Sequence, residues 1–210
     1  MKRLALLGAS GHGKVVADAA LASGWQKIDF FDDAWPSRMS NGRWQVAGST
    51  QALIAHLDQY DGVVVSIGHC ATRLRRQRDL LAIGAQLVSI VHPRATVSPF
   101  ARIDVGTVVM AGAVINVDAQ VGAAVIVNTG ATVDHDCQLA EGVHVAPGAH
   151  LSGNVVIGEC CWIGVGACVR QGLQIGDNVV VGAGAVVVRD VPPNITVVGN
   201  PAQPLNPRAR

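Results

Sequence analysis

From residue 97 to residue 187 an aliphatic side chain stands at every sixth position without a slip, from Val97, Ile103 and Val109 through Val133, Leu139 and Val145 to Val181 and Val187. Two places before most of these sits a small residue, as at Ala95, Ala113, Ala131, Ala149, Ala167 and Ala185. Three places after, Gly, Asn or Asp recurs, as at Gly106, Gly130, Asp136, Asn154 and Gly184. A helix repeats every 3.6 residues and a flat strand every two, so neither yields a strict period of six. A triangular parallel β-coil does, with one short strand per hexad, a corner between strands and three hexads per turn. Each turn of such a coil touches only its neighbours. The first turn therefore needs a cap, and the segment preceding it is placed to supply one.

That preceding segment alternates strand and helix. Leu4–Leu7 reads as a buried strand, Gly8–Gly13 as a glycine-rich turn, and Lys14–Ala22 as a helix ended by Gly24. Ile28–Phe31 is a second strand, stopped by Asp32 and Asp33. A polar stretch with Pro36, Asn41 and Gly42 leads to a helix over Thr50–Leu57, capped by Ser49 or Thr50. Val63–Ile67 is a third strand, Arg73–Ile83 a basic amphipathic helix and Leu87–Val91 a fourth strand. The alternation predicts a small parallel α/β sheet. His92-Pro93 marks the boundary, which gives a first domain over 1–92 and a coil with a C-terminal tail over 93–210.

Composition excludes several classes. A net charge near +1 offers no basic field for nucleic acid, and 4% aromatic residues leave no stacking platform for single strands. Five cysteines form an odd set without a CxxC pair, which reads as buried filler in a reducing compartment. The apolar stretch after the basic start Met1-Lys2-Arg3 is too short for a signal peptide, and no run reaches the length of about 20 residues that spans a membrane. The expectation is a soluble, cytoplasmic protein.

Three constellations can carry chemistry. In the loop Gly8-Ala9-Ser10-Gly11-His12-Gly13, between strand and helix, glycines let backbone N–H groups approach a phosphate while the helix N-terminus favours an anion. Its spacing is GxxGxG, not the GxGxxG of dinucleotide sites, and the bland alternative is a tight structural turn. Asp32 follows about twenty residues on, where a carboxylate can accept from a ribose or base. In the segment Asn128 to Cys137, His135 falls at a coil corner between Asp134 and Asp136, so that a carboxylate can orient one ring nitrogen and leave the other as a base. The alternative is an ordinary surface histidine. No second histidine stands at metal-ligand spacing, so no metal is expected. His144 and His150 precede inward positions and should point outward, and Cys137 occupies a small inward position that makes it filler rather than nucleophile. Small residues around Gly164-Val165-Gly166, Gly182-Ala183-Gly184 and the tail Gly199-Asn200-Pro201-Ala202 leave either a shallow groove for a long thin ligand or simply tight corners.

Together the hexads, the tail, the loop Gly8–Val16 and the segment Asn128–Cys137 resemble the bacterial nucleotide-sugar acetyltransferases, whose members include amino-sugar N-acetyltransferases and sialic-acid O-acetyltransferase-like proteins. The resemblance spans essentially the whole chain. It implies a small Rossmann-like α/β domain followed by a left-handed parallel β-helix of hexapeptide repeats, in a homotrimer with active sites between neighbouring β-helices. It implies His135 as catalytic base with Asp136 supporting it, although some relatives carry Glu there. It places His144 near the acetyl-CoA thioester, with the backbone of Val165 and Ala183 along the CoA arm. Ser10, Gly11 and His12 would meet the phosphates of a nucleotide-linked amino sugar, Asp32 and Asp33 the nucleoside, and Gly68 the neighbouring loop. Relatives often carry Asn-Asn or Asp-Asn after that glycine, where this chain has His69-Cys70.

The expected reaction is acetyl transfer from acetyl-CoA to the 4-amino group of a nucleotide-linked 4-amino-dideoxy sugar, direct and without an acyl-enzyme. O-acetylation of a sugar hydroxyl would use the same base, and a non-catalytic nucleotide-sugar-binding trimer would keep the fold. A nicotinamide oxidoreductase built on the glycine loop leaves the whole coil unexplained.

Overall fold

The computed structural model describes residues 2–205; Met1, the first residue of the basic start, and residues 206–210 of the expected tail lie outside it. The N-terminal sheet contains β1 (Arg3–Leu7), β2 (Lys27–Phe31), β3 (Ser40–Asn41), β4 (Trp44–Gly48) and β5 (Gly62–Val65) in the order β3-β4-β2-β1-β5. All pairings are parallel except the β3–β4 hairpin. That hairpin falls in the polar stretch, whose turn residues gave no strand signal. Helices α1 (Gly11–Ala22), α2 (Thr50–Ala55) and α3 (Cys70–Ala82) connect the strands. The expected fourth strand is split. Leu87 makes a single bridge to Val63, while Ile90–Val91 pairs with Val108–Val109 and so already belongs to the coil, ahead of His92-Pro93.

The coil is a left-handed parallel β-helix with three flat faces. The first face stacks 90–91, 108–109, 126–127, 144–145, 162–163 and 180–181, and ends with Thr196–Val198 and the antiparallel Gln203–Pro204. The second stacks 96–97, 114–115, 132–133, 150–151, 168–169 and 186–187, and the third 102–103, 120–121, 138–139, 156–157 and 174–175. From Val109 to Val187 the hexad residues all point inward and are buried in one column, with Ala113, Ala131, Ala149 and Ala167 filling the narrower places. Burial of each such side chain contributes about 1.5–3 kcal/mol. The corners turn through left-handed backbone at glycines, at Asp118, Asp136, Asn154, Asn178 and Asn194, whose short polar side chains tolerate it, and also at Ala124 and Cys160.

The α/β domain does not cap the first turn. It packs sideways on the first face, where Ile90, Val108, Met110 and Ile126 join Leu4, Val16, Ala17, Ala20 and Val64 in one core. The outward residues of that face are apolar here, unlike Arg102, Gln120 and Gln138 on the third, and this directs the docking. The end of the coil keeps Ala95, Val97, Ala101 and Ile103 only partly buried.

Candidate functional site

The glycine loop is tied down from all sides. The Asp32 carboxylate accepts from the Ala9 N–H at 2.7 Å and the Ala34 N–H at 2.9 Å, while Arg38 donates to the Ala9 carbonyl and Asn41 to the Ser10 carbonyl. At Gly13 a β-carbon would lie 2.5 Å from the Gly8 carbonyl, so glycine lets α1 approach the end of β1. Gly11 and Gly68 have open space instead, with nothing within 4 Å of an added β-carbon. Ser10 caps α1 by position, but its side chain makes no cap hydrogen bond and stays exposed.

Between the carboxyl ends of β1, β2 and β5 lies a cleft of ≈ 310 Å³ lined by Gly8, Ser10, Asp32, Asp33, Thr72 and Arg76, among others. The chain leaves β1 for β2 on one side and returns from β4 to place β5 on the other, so the cleft sits at the switch point of the sheet, where open α/β sheets bind ligands. Ser10, Asp32 and Asp33 thus line one cleft, with both carboxylates already engaged. Asp32 clamps the loop, whereas Asp33 accepts from the Thr50 N–H at 2.9 Å and pairs with Arg76 at 3.0 Å. The Thr50 contact holds the Asp33 carboxyl below its ordinary value. Thr72 and Arg76 had no signal in the sequence beyond a basic helix.

His144 does point out of the coil, but onto the first face beneath the α/β domain, so that it is 4% exposed. Its ring lies 4.1 Å from that of Trp162, one turn on, and 6.0 Å from that of His12. Asn128 Nδ2 donates to Nε2 at 3.1 Å, which leaves Nδ1–H to face the Gly68 carbonyl at 3.4 Å. Burial, with the Arg73 charge nearby, pushes His144 down to about 3 and His12 to about 4, so both are neutral. His12 Nε2 is buried with no partner among the described residues. Val165, 54% exposed, and Ala183 stack on the corner that the strand of His144 runs into, where the Gly184 N–H donates to the Val165 carbonyl at 2.8 Å.

His135 stands elsewhere. It occupies the corner between the second and third faces, on the far side of the coil from the first face that carries His144. Nδ1–H donates to Asp136 at 2.7 Å, which raises the imidazole above its ordinary value and leaves Nε2 bare toward solvent. Asp134 accepts from the His135 N–H and from Asn116 Nδ2, each at 2.8 Å, and so fixes the backbone rather than the ring. Cys137 is fully buried inside the coil, with burial raising its thiol, which fits filler rather than nucleophile. One copy therefore gathers Ser10, Gly11, His12, Gly68, His144, Val165 and Ala183 on one side and presents His135 with Asp136 on the other. Sequence reasoning gave no role to Arg73, Trp162, Asn128 or Gly153. Trp162 and Gly153 sit at ordinary hexad positions, and only the stacking of turns reveals their neighbours.

The family model for the PglD N-terminal domain matches residues 3–80, and that for the bacterial transferase hexapeptide matches residues 154–189. The acetyltransferase domain of PglB from Neisseria gonorrhoeae, solved in complex with acetyl coenzyme A, is 48% identical over 97% of this chain and 99% of its own, with a TM-score of 0.92. The chain belongs to the nucleotide-sugar acetyltransferases with a left-handed β-helix. A histidine-to-asparagine variant of perosamine N-acetyltransferase from Caulobacter crescentus, in complex with CoA and GDP-perosamine, is 38% identical over 99% and 98% of the two chains, with a TM-score of 0.93. WeeI from Acinetobacter baumannii is 28% identical over 98% and 100%, with a TM-score of 0.89. No curated protein matches the chain. Membership makes the protein an acyltransferase, in line with the expected class. Among the described residues no helix is long and apolar enough to cross a membrane.

Proposed function

We propose that this acetyltransferase moves the acetyl group of acetyl-CoA onto the 4-amino group of a nucleotide-linked 4-amino-dideoxy sugar. The carrying observation is the oriented His135. Its Nδ1–H is engaged by Asp136 at 2.7 Å and its Nε2 is free, which is the arrangement a general base requires. Nε2 takes a proton from the amine as nitrogen attacks the thioester carbonyl, Asp136 stabilises the imidazolium, and Nε2 returns the proton to the sulfur as the C–S bond breaks, so that CoA leaves as the thiol. Transfer is direct in this reading, with the buried Cys137 beside His135 serving as filler and not as an acceptor. Holding both substrates together is worth roughly 7–11 kcal/mol of barrier.

His144, Val165 and Ala183 line the acyl-donor side in this reading. Ser10, Gly11, His12 and Gly68 receive the sugar diphosphate, with the nucleoside in the cleft beside Asp32 and Asp33. Because His135 lies across the coil from these groups, a complete site needs His135 from a second copy, and a closed threefold ring supplies one to every site. The names of the similar structures, an acetyltransferase with acetyl coenzyme A and an N-acetyltransferase with CoA and GDP-perosamine, support the N-acetyl reading over O-acetylation. The deciding assay offers acetyl-CoA with a 4-amino sugar nucleotide and with its 4-hydroxy counterpart, each as the UDP, GDP and dTDP form. Turnover of the amine alone is expected, and turnover of the hydroxyl alone would overturn the reading.

A further inference from the structure

Arg73 lies in a helix whose sequence, Arg73-Leu74-Arg75-Arg76-Gln77-Arg78, reads as a solvated basic face, yet Arg73 is 1% exposed. It has no carboxylate partner among the described residues. Every N–H of its guanidinium instead meets a backbone carbonyl. Nε donates to Ala124 at 2.7 Å, Nη1 to Ile67 at 2.9 Å and Gly68 at 2.8 Å, and Nη2 to Gly142 at 2.7 Å and Val143 at 3.3 Å. Ala124 and Gly142 are left-handed corner residues on adjacent turns of the coil, while Ile67 and Gly68 lie in the loop that follows β5, with Ile67 lining the cleft. One side chain thus joins the substrate loop of the α/β domain to two corners of the β-helix.

The Gly68 carbonyl it holds is the one that faces His144 Nδ1. We propose that Arg73 is a positioning residue for acetyl transfer: by clamping the Gly68 carbonyl against the coil, it fixes which nitrogen of His144 carries the proton and where the ring stands. Asn128 sets the other end, because its amide N–H₂ can only donate to a bare Nε2. The clamp and Asn128 together select the Nδ1–H tautomer. The charged and titratable groups facing His144 are Arg73 from α3 and His12 from α1; the coil presents the neutral Trp162 and Asn128. Burial is the main force against a proton on His144, and Arg73 and His12 add to it, so loss of Arg73 both frees the carbonyl and relieves part of that opposition.

The proposal rests on His144 lying at the acyl-donor side, and its test separates the two ideas. Long-range ¹H–¹⁵N spectra of the full-length protein, with His144 assigned by a His144→Asn variant, report the tautomer directly. Wild type should show Nδ1–H with a bare Nε2 down to mildly acidic pH. Arg73→Met should show mixed tautomers and a His144 titration moved up toward the ordinary value of 6.5, with kcat lower by roughly 10²-fold. Arg73→Lys keeps the charge and most of the packing but can reach fewer carbonyls, and covers the case in which Met does not fold. It should leave His144 neutral, mix its tautomers and lower kcat to a smaller extent. A folded Arg73 variant with an unchanged His144 spectrum overturns the clamp, as does unchanged turnover in His144→Asn. Wild-type protein that acetylates no sugar nucleotide overturns the proposed function instead, and in that case the spectra still decide whether Arg73 sets the His144 tautomer.

Discussion

Gly153 lies directly beneath the imidazole of His135, one turn further along the same corner, and a β-carbon there would come within 2.4 Å of both Cε1 and Nε2. The ring is therefore positioned by two neighbours, the Asp136 carboxylate at its Nδ1 and the bare backbone of Gly153 against its reactive edge. Gly153→Ala forces the exposed ring to shift while the coil beneath keeps its hydrogen bonds. The thermal midpoint should change by only a few degrees, whereas kcat should fall by roughly 10²-fold, the scale expected for about 1 Å of misplacement. Near wild-type kcat in a folded Gly153→Ala variant would show that the position of this ring does not matter to turnover.

The His135–Asp136 pair also sets a pH dependence. Asp136 raises His135 above the ordinary 6.5, and a base works only when neutral, so the rate should fall as pH drops through that raised value. Asp136→Asn keeps an oxygen acceptor for Nδ1–H but removes the charge, which should move the acid limb to lower pH and lower the plateau. His135→Ala should cost about 10²–10⁴-fold on the plateau and remove the acid limb that His135 sets. Full pH–rate profiles of the three proteins decide it. An acid limb that stays put in Asp136→Asn would assign the titration to another group.

How much of this was legible before the fold is a matter of which residues act through sequence neighbours. His135 meets Asp136 beside it, and the six-residue period alone set His135 at a corner and buried Cys137. The same period did not tell which face the α/β domain would cover, because His144 and His150 occupy equivalent positions in their hexads. Only the apolar column Ile90, Val108 and Ile126 beneath one of them makes the difference. Arg73 was hidden for a plainer reason. An arginine among arginines reads as solvated, and its acceptors at Ala124 and Gly142 are backbone groups that no side-chain pattern displays.

The half-buried His12 and the buried His144 tie folding to pH. Both His12 and His144 have folded values, about 4 and about 3, below the 6.5 of an exposed imidazole. The unfolded chain therefore binds protons that the native one does not. Their contribution is fully present above pH 6.5 and is lost as pH falls from there toward the folded values, by about 1.4 kcal/mol per pH unit for each group. Thermal unfolding should show a midpoint that drops steadily over this window, and His12→Asn with His144→Asn should flatten the slope. An equally steep slope in the double variant would assign the acid sensitivity to carboxylates.

The separation of His135 from Gly11 and His144 across the coil makes a prediction about mixtures. His135→Ala removes the proposed base and leaves the nucleotide side intact. Gly11→Leu does the reverse, because the space beside Gly11 is open and a side chain there fills the proposed phosphate site without striking the protein. Each variant alone should be nearly inactive. If each site joins the nucleotide side of one copy to His135 of the next, trimers reassembled from equal amounts of the two should place an intact pair in about a quarter of sites. Activity should return to about that fraction of wild type, at wild-type KM for both substrates. A site contained within one copy has one broken half in every chain and regains nothing, so a mixture that stays inactive after verified subunit exchange would remove the second copy from the reaction.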